Sequence, residues 1–482
     1  MQTFIDLHCH PSIKPYGQSF KSSPVGQNST NRKQRNSIWF YDSPGTLEKG
    51  LQSLAGICKF TQSDCTTLTY AKTRIACASL YPVEKGFFNN KLGTQLKSDL
   101  SNNFITCVSK ARVDYVQGIT NYFEDLEREM AFYKQLDGVV VQTEVGNCTY
   151  RLAHNFQEIE QHLAAENPDD HTVFFIMTIE GMHALHTHYD LNKDADETAI
   201  LQNVAMLKNW QPRPLFVTPA HHFYNQLCGH ARSLFGIVSN VSDQSMGLDK
   251  GITLLGEKVI KQLLDNTNGQ RIYIDIKHMS VTSRSEYFKI LESEFTSEQI
   301  PVIVSHGAAN GLRSAKEPVQ DNMDTAPRLL DRDINFYDNE ILIVAKTKGI
   351  FGLQLDERRI ASQATLKNTK HAFFLNKIRH YRAALLWNQV QHIAELLDSN
   401  NLFAWDCIAI GSDFDGIIDP LNGFLTAEAL EQLQDYLERY AFNYMDGIGK
   451  TRLKTFNQLS AAEIVNRIFS TNAMDFFRRW FI

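Results

Sequence analysis

No run in the chain approaches the roughly 20 consecutive apolar residues that a membrane helix requires. The opening residues, MQTFIDLHCH, lack the basic head and the apolar core of about 7–15 residues that mark a secretory leader. Glycine and proline are sparse, 26 and 13 of 482 residues, too few for collagen-like or low-complexity character. Basic residues are outnumbered, 48 against 54 acidic, and the net charge of −6 argues against a broad surface for nucleic acid. The eight cysteines are scattered without a C-x-x-C pair, which reads as reduced thiols in a cytoplasmic protein. No glycine-rich phosphate turn follows the first apolar run, which argues against a doubly wound nucleotide-binding sheet.

What is present is a repeated alternation. Short apolar runs end in polar residues and give way to helical patterns: Phe4–Leu7, Thr73–Tyr81, Thr172–Ile179, Pro214–Pro219, Arg271–Ile276, Pro301–Val304, Gly349–Leu355 and Cys407–Ile410. Most are near-continuously apolar, as strands of a parallel sheet buried on both faces must be. A ninth run, Gly138–Gln142, breaks the count and is assigned to an insertion. Phe123, Leu126, Met130 and Tyr133 recur at helical spacing, as do Leu430, Leu433 and Leu437 behind an N-cap at Thr426. Ser460 and Glu463 form an S-x-x-E capping box. Eight strands alternating with helices predict an α/β fold, a (β/α)8 TIM barrel spanning 1–482 as one domain, with insertions after the first and second strands. Residues 11–37 carry five basic residues, no acid and few large apolar ones. The region 11–59 is therefore expected to be a surface or lid-like loop.

The chemistry lies where these strands stop. The first ends in Asp6-Leu7-His8-Cys9-His10, and alternation puts His8 and His10 on one side, able to reach a common cation. The third ends in Ile179-Glu180-Gly181, where a buried carboxylate must be paired or metal-bound. The fifth ends in Asp275-Ile276-Lys277-His278, the sixth in Ser305-His306-Gly307, and the eighth in Gly411-Ser412-Asp413-Phe414-Asp415. The C-terminal rim is where barrel enzymes keep their sites. Imidazoles with few carboxylates favour zinc or a similar first-row ion. Four His and one Glu exceed the three protein ligands of a usual catalytic zinc, and fit two divalent ions bridged by Glu180.

The motifs FIDLHCH, IEGMHAL, TPAHHFYN, IDIKHMS, PVIVSHG and IAIGSDFDG, with the tail EIVNRIFSTNAMDFFRR, resemble those of the membrane dipeptidase (renal dipeptidase) family of zinc peptidases, in the amidohydrolase superfamily. The likeness covers most of residues 1–10 and 120–480, more loosely 60–120, and not 11–59. It implies that His8 and His10 bind one metal, His278 and His306 the other, and that Glu180 bridges them. It further implies that His222, which its spacing of three residues to Asn225 favours over the adjacent His221, binds substrate and stabilises the oxyanion, while Asp413 relays protons. Arg332 falls where the family holds the substrate carboxylate, with Arg313 as its competitor.

One position departs from that pattern. The family begins His-x-Asp, whereas this chain has His8-x-His10, one unit more positive. Three functions follow as expectations: a dipeptidase acting on short peptides; another amidohydrolase reaction on an N-acyl amino acid, lactam or lactone; or a binding protein without turnover. The substrate is expected to be a dipeptide or other small molecule, with neither nucleic acid nor membrane as partner, and a homodimer is left open.

Overall fold

The computed structural model describes residues 3–45, 48, 60–89, 107–167, 169–234, 239, 242–320, 323–369, 372 and 374–482. Ten strands lie among them: β1 Phe4–Cys9, β2 Thr73–Leu80, β3 Val141–Thr143, β4 Gly146–Leu152, β5 Asp170–Glu180, β6 Phe216–Thr218, β7 Tyr273–Ile274, β8 Ile303–Gly307, β9 Ile350–Leu353 and β10 Ile408–Ile410. Each of the eight anticipated runs supplies one parallel strand. The fold is mixed α/β and rich in parallel pairing.

Strands β1, β2, β5, β6 and β7 pair in that order, all parallel, and β8, β9 and β10 form a second parallel sheet. Single parallel bridges span both seams, Asp275 to Ile303 on one side and Cys9 to Phe414 on the other. Helices return the chain between successive strands, as parallel pairing demands: Glu197–Lys208, Leu254–Leu264, Val281–Glu294, Asp338–Lys346 and Leu375–Ser399 lie between β5 and β10. Buried side chains fill the strands on both faces. Phe174, Phe175, Ile176 and Met177 are consecutive in β5 and none is exposed.

The ninth run forms β3, which pairs antiparallel with β4. Strand β4 escaped the sequence analysis because Gly146–Leu152 alternates buried and accessible residues and carries Asn147 and Arg151. It covers the N-terminal half of β5, whose Ile179 and Glu180 pair instead with β6.

The helix Tyr122–Lys134 buries Phe123, Leu126, Met130 and Tyr133, and Asn121 caps its start by accepting from the Glu124 N–H. The Ser460–Glu463 capping box is formed. Thr426 precedes a 3-10 turn, Ala427–Ala429, and its side chain makes no cap bond; the main helix runs Leu430–Asp446. Segment 11–45 is anchored at its ends, with Ile13–Ser19 helical, Tyr16 and Trp39 buried and Tyr16 donating to Asp125, while most of residues 21–36 are irregular and accessible. Residues 46–47 and 49–59 of the anticipated loop, and 90–106 of the insertion after β2, lie outside the described residues. No described helix is long and apolar enough to cross a membrane.

Candidate metal centre

The strand ends that carry the anticipated residues are tied together by buried carboxylates beneath them. Asp6 accepts hydrogen bonds from the His8 and Ser412 backbone N–H groups at 3.1 and 2.9 Å, and from the Ser412 hydroxyl at 2.5 Å. The Asp413 N–H donates to the His8 carbonyl, and the His10 N–H to that of Phe414. Across the molecule, Asp275 accepts from the Lys277 and Ser305 N–H groups and from the hydroxyls of Thr218 and Ser305. These ties hold the termini of β1, β6, β7, β8 and β10 at one level. The backbone there is bent to fit: His278 and Asp413 adopt φ of +64° and +61°, and Gly181, beside Glu180, +96°. Left-handed non-glycine residues cost about 1–2 kcal/mol each, and such strain gathers at functional sites.

Five imidazoles converge on Glu180, His221 and the four anticipated from the sequence. Its Oε1 is 3.5 Å from His8 Nε2, 3.3 Å from His278 Nε2 and 3.6 Å from His306 Nε2. Its Oε2 is 3.1 Å from His10 Nε2. His8 and His10 bring their Nε2 atoms within 3.1 Å of each other, and His278 and His306 within 3.3 Å. Ligands bonded at about 2.0–2.2 Å to a tetrahedral ion stand about 3.3–3.6 Å apart, so the second group has the spacing of a cation's shell. The Nδ1 atoms of His8, His10 and His278 are buried and make no hydrogen bond, so these rings direct Nε2 inward. His306 is turned the same way, with Nδ1 2.9 Å from the Ser305 hydroxyl. The donor set fits a divalent ion. His8, His10 and Glu180 form one potential group, and Glu180, His278 and His306 another.

Electrostatics agree with that use at Glu180, His278 and His306, whereas His10 must give up a proton to ligate. Burial pushes the Glu180 carboxyl up, but the imidazoles of His221 and His8 and hydrogen bonds from His10 and His278 outweigh it, leaving it ionised. Burial pushes His278 and His306 well down, so both are neutral and able to ligate. His10 is raised to about 9: burial opposes the proton, but the hydrogen bond and charge of Glu180 prevail. Burial and the Glu180 charge raise Asp413 to about 6 against the pull of His8 and His10. Asp413 Oδ1 stands 3.8 Å from His8 Nε2 and 3.7 Å from His10 Nε2, and its Oδ2 is 3.8 Å from His306 Nε2.

A cavity opens over the cluster, lined among others by Phe87, His222, Lys277, Arg358, Arg359 and Asp413. None of the described residues of 11–45 lines it. His222 Nδ1 is 2.6 Å from the Ser233 hydroxyl, which also accepts from Gln244. The structure does not bring Arg332 or Arg313 to this cavity. Arg332 is exposed and Arg313 is an exposed partner of Glu317, because the segment after β8 runs outward before the helix Asp338–Lys346. Two arginines from the short helix Glu357–Ile360 beyond β9 stand there instead. Arg359 is buried and donates to the Ser233 carbonyl; Arg358 pairs with Asp356 at 2.7 Å.

Sequence reasoning gave no role to Glu84 or Lys277, and set His221 aside in favour of His222 on the spacing to Asn225. Lys277 is wholly buried, 3.3 Å from Gln354 Oε1, and burial with the nearby Arg359 lowers it to about 7. Its position beside His278 was a signal, as was the placing of Arg358 and Arg359 just past an expected strand. Glu84 sits in a loop beyond β2 and gave no such signal.

Comparison with known proteins places these features in a family. No curated protein matches the chain. Among solved structures, a metallo peptidase from Rhodobacter sphaeroides liganded with a phosphinate mimic of L-Ala-D-Ala is 11% identical, with 99% of both chains covered and a TM-score of 0.47. The probable dipeptidase PvdM from Pseudomonas aeruginosa is 13% identical, covering 87% of this chain and 88% of its own, with a TM-score of 0.45. The profile of the membrane dipeptidase family, Peptidase family M19, matches residues 123–449, a span that holds Glu180, His222, His278, His306 and Asp413 but not His8 and His10. That match takes in well over half of the sequence, and the chain belongs to the membrane dipeptidase family of metal-dependent hydrolases that act on peptide bonds.

Proposed function

We propose that this protein is a dipeptidase working with two divalent ions, zinc for preference, at the C-terminal rim of a single (β/α)8 barrel. The observation that carries the reading is the engagement of both Glu180 oxygens by inward-facing imidazoles from β1 and from the ends of β7 and β8. Parallel bridges at both seams support closure of the eight parallel strands into a barrel. In this reading His8 and His10 hold one ion, His278 and His306 the other, and Glu180 bridges them. Bound there, the ions supply Lewis acidity and lower the pKa of water toward about 7. A cytoplasmic setting suits the seven described cysteines, all of which are free.

The protein's own groups do the rest. Asp413 takes a proton from the attacking water, whose oxygen bonds the scissile carbonyl carbon. It returns that proton to the amine nitrogen as the C–N bond breaks. Ser233, already accepting from Gln244, donates its hydroxyl to His222 Nδ1, which leaves the Nε2–H to meet the charge growing on the carbonyl oxygen. Arg359, which lines the cavity where Arg332 does not, takes the role expected of Arg332 and grips the free carboxylate of a short peptide.

A metal assay with a panel of dipeptides and N-acyl amino acids tests the whole reading. Bound metal with dipeptide turnover supports it; turnover of N-acyl amino acids alone points to the other amidohydrolase chemistry, and metal without any turnover to a binding protein. Arg359→Met is expected to raise KM for free dipeptides by about 10–100-fold, the worth of a charge-assisted hydrogen bond, and to leave C-terminally amidated peptides unchanged. Equal effects on both peptide classes would remove Arg359 from that role.

The position that leaves the family pattern gives another test. His10→Asp is expected to keep metal and activity, with some loss because carboxylate is shorter than imidazole. His10→Ala leaves the first ion short of a ligand, and is expected to lose at least the about 10–100-fold that even outer-shell changes cost. Metal content and turnover of the Ala variant equal to wild type would show that His10 is no ligand.

A further inference from the structure

We propose that His221 is a further ligand of the ion held by Glu180, His278 and His306, with Glu84 as the carboxylate that fixes its ring. The inference rests on the metal centre proposed above. His221 is buried at the end of β6, and its Nδ1 lies 2.7 Å from Glu84 Oε2. A carboxylate can only accept, so the Nδ1 carries the hydrogen and Nε2 faces the cluster. That Nε2 stands 3.5 Å from Glu180 Oε1, like His8, His278 and His306 at 3.5, 3.3 and 3.6 Å from the same oxygen, and His221 shares a potential metal group with His278. Its ring centroid is 4.5 Å from that of His278. A neutral Nε2 at that distance sets a lone pair against an anionic oxygen, an arrangement that a cation between them makes attractive.

Glu84 is built for the supporting role. It is buried, accepts from the Phe223 N–H at 3.0 Å and the Tyr81 hydroxyl at 3.0 Å, and points its remaining capacity at His221. A carboxylate behind a ligating imidazole fixes the tautomer and raises the ring's basicity. It also returns to the centre a negative charge that His10, standing in place of the family's Asp, does not provide. The ion with four protein donors, Glu180, His221, His278 and His306, is then the tighter of the two, and the one at His8, His10 and Glu180 the looser.

The competing arrangement is a protonated His221 that bridges Glu84 and Glu180 and touches no metal. Titrating metal-free protein with cobalt(II), read by visible absorption and by elemental analysis after dialysis, separates the two. Wild type is expected to fill in two steps. His221→Ala should weaken the tighter step at least tenfold, and Glu84→Gln by about 10–100-fold; both should leave the looser step in place, while His10→Ala does the reverse. If His221→Ala does not fold, Glu84→Gln, which keeps size and shape, carries the test. Two cobalt steps unchanged in both variants would overturn the assignment and leave the metal centre standing. Wild-type protein that binds no cobalt would overturn the centre itself.

Discussion

Replacing Glu180 by Gln is expected to strip metal from both sites and to lower kcat/KM by at least about a thousandfold. The carboxylate is the one donor shared by the two groups of imidazoles, with Oε1 toward His8, His278 and His306 and Oε2 toward His10. Gln keeps the volume but offers a single weak acceptor, and its amide N–H₂ would face Nε2 atoms or a cation. Loss of the ions removes several kcal/mol of transition-state stabilisation, and each 1.36 kcal/mol is about tenfold in rate. Elemental analysis decides the point. A Glu180→Gln protein that retains two ions per chain would end the bridging role, and one that loses a single ion would assign Glu180 to that site alone. Thermal denaturation in the presence of chelator keeps lost metal distinct from lost fold, since metal-free wild type and variant should then melt alike.

Much of this centre was legible in the sequence, for a physical reason. Strands buried on both faces must be continuously apolar, so a polar residue ending such a run stands out: His8, Glu180, His278, His306 and Asp413 each do so. What could not be read were contacts made by segments far apart in the chain. Glu84 meets His221 across 137 residues, and no local pattern announces that pairing. Arg332 had the right residue type, but the path of the loop after β8, set by tertiary packing, carries it to the surface. Strand β4, paired between β3 and β5, alternates in polarity, and its Asn147 and Arg151 hid it. Composition described the basic segment 11–37 only in part: Lys14 meets Asp415 and the Phe60 carbonyl and Tyr16 meets Asp125, while most of residues 21–36 are irregular and accessible.

Asp413→Asn is expected to separate chemistry from metal binding. Each proposed ion already has Glu180 and at least two imidazoles without Asp413, so both ions should remain. The proton transfers should not. Asn can neither take the proton of the attacking water nor return it to the amine, and losing a positioned acid–base group costs about 10²–10⁴ in rate. The loss should fall on kcat, with KM within a few-fold, because Asp413 does not hold the peptide's carboxylate. The pH profile gives a second reading. Burial raises this carboxyl to about 6 in the metal-free geometry, and it acts as a base only when ionised. Wild-type activity should therefore fall as the pH drops through the Asp413 pKa. Divalent charge nearby favours the carboxylate, which places that limb at or below about 6 rather than above it. The residual activity of the Asn variant should lack this limb. A variant that keeps kcat within about tenfold, or keeps the same acid limb, would show that the proton passes through another group, and Lys277, buried in the same cavity and lowered to about 7, is the next to test.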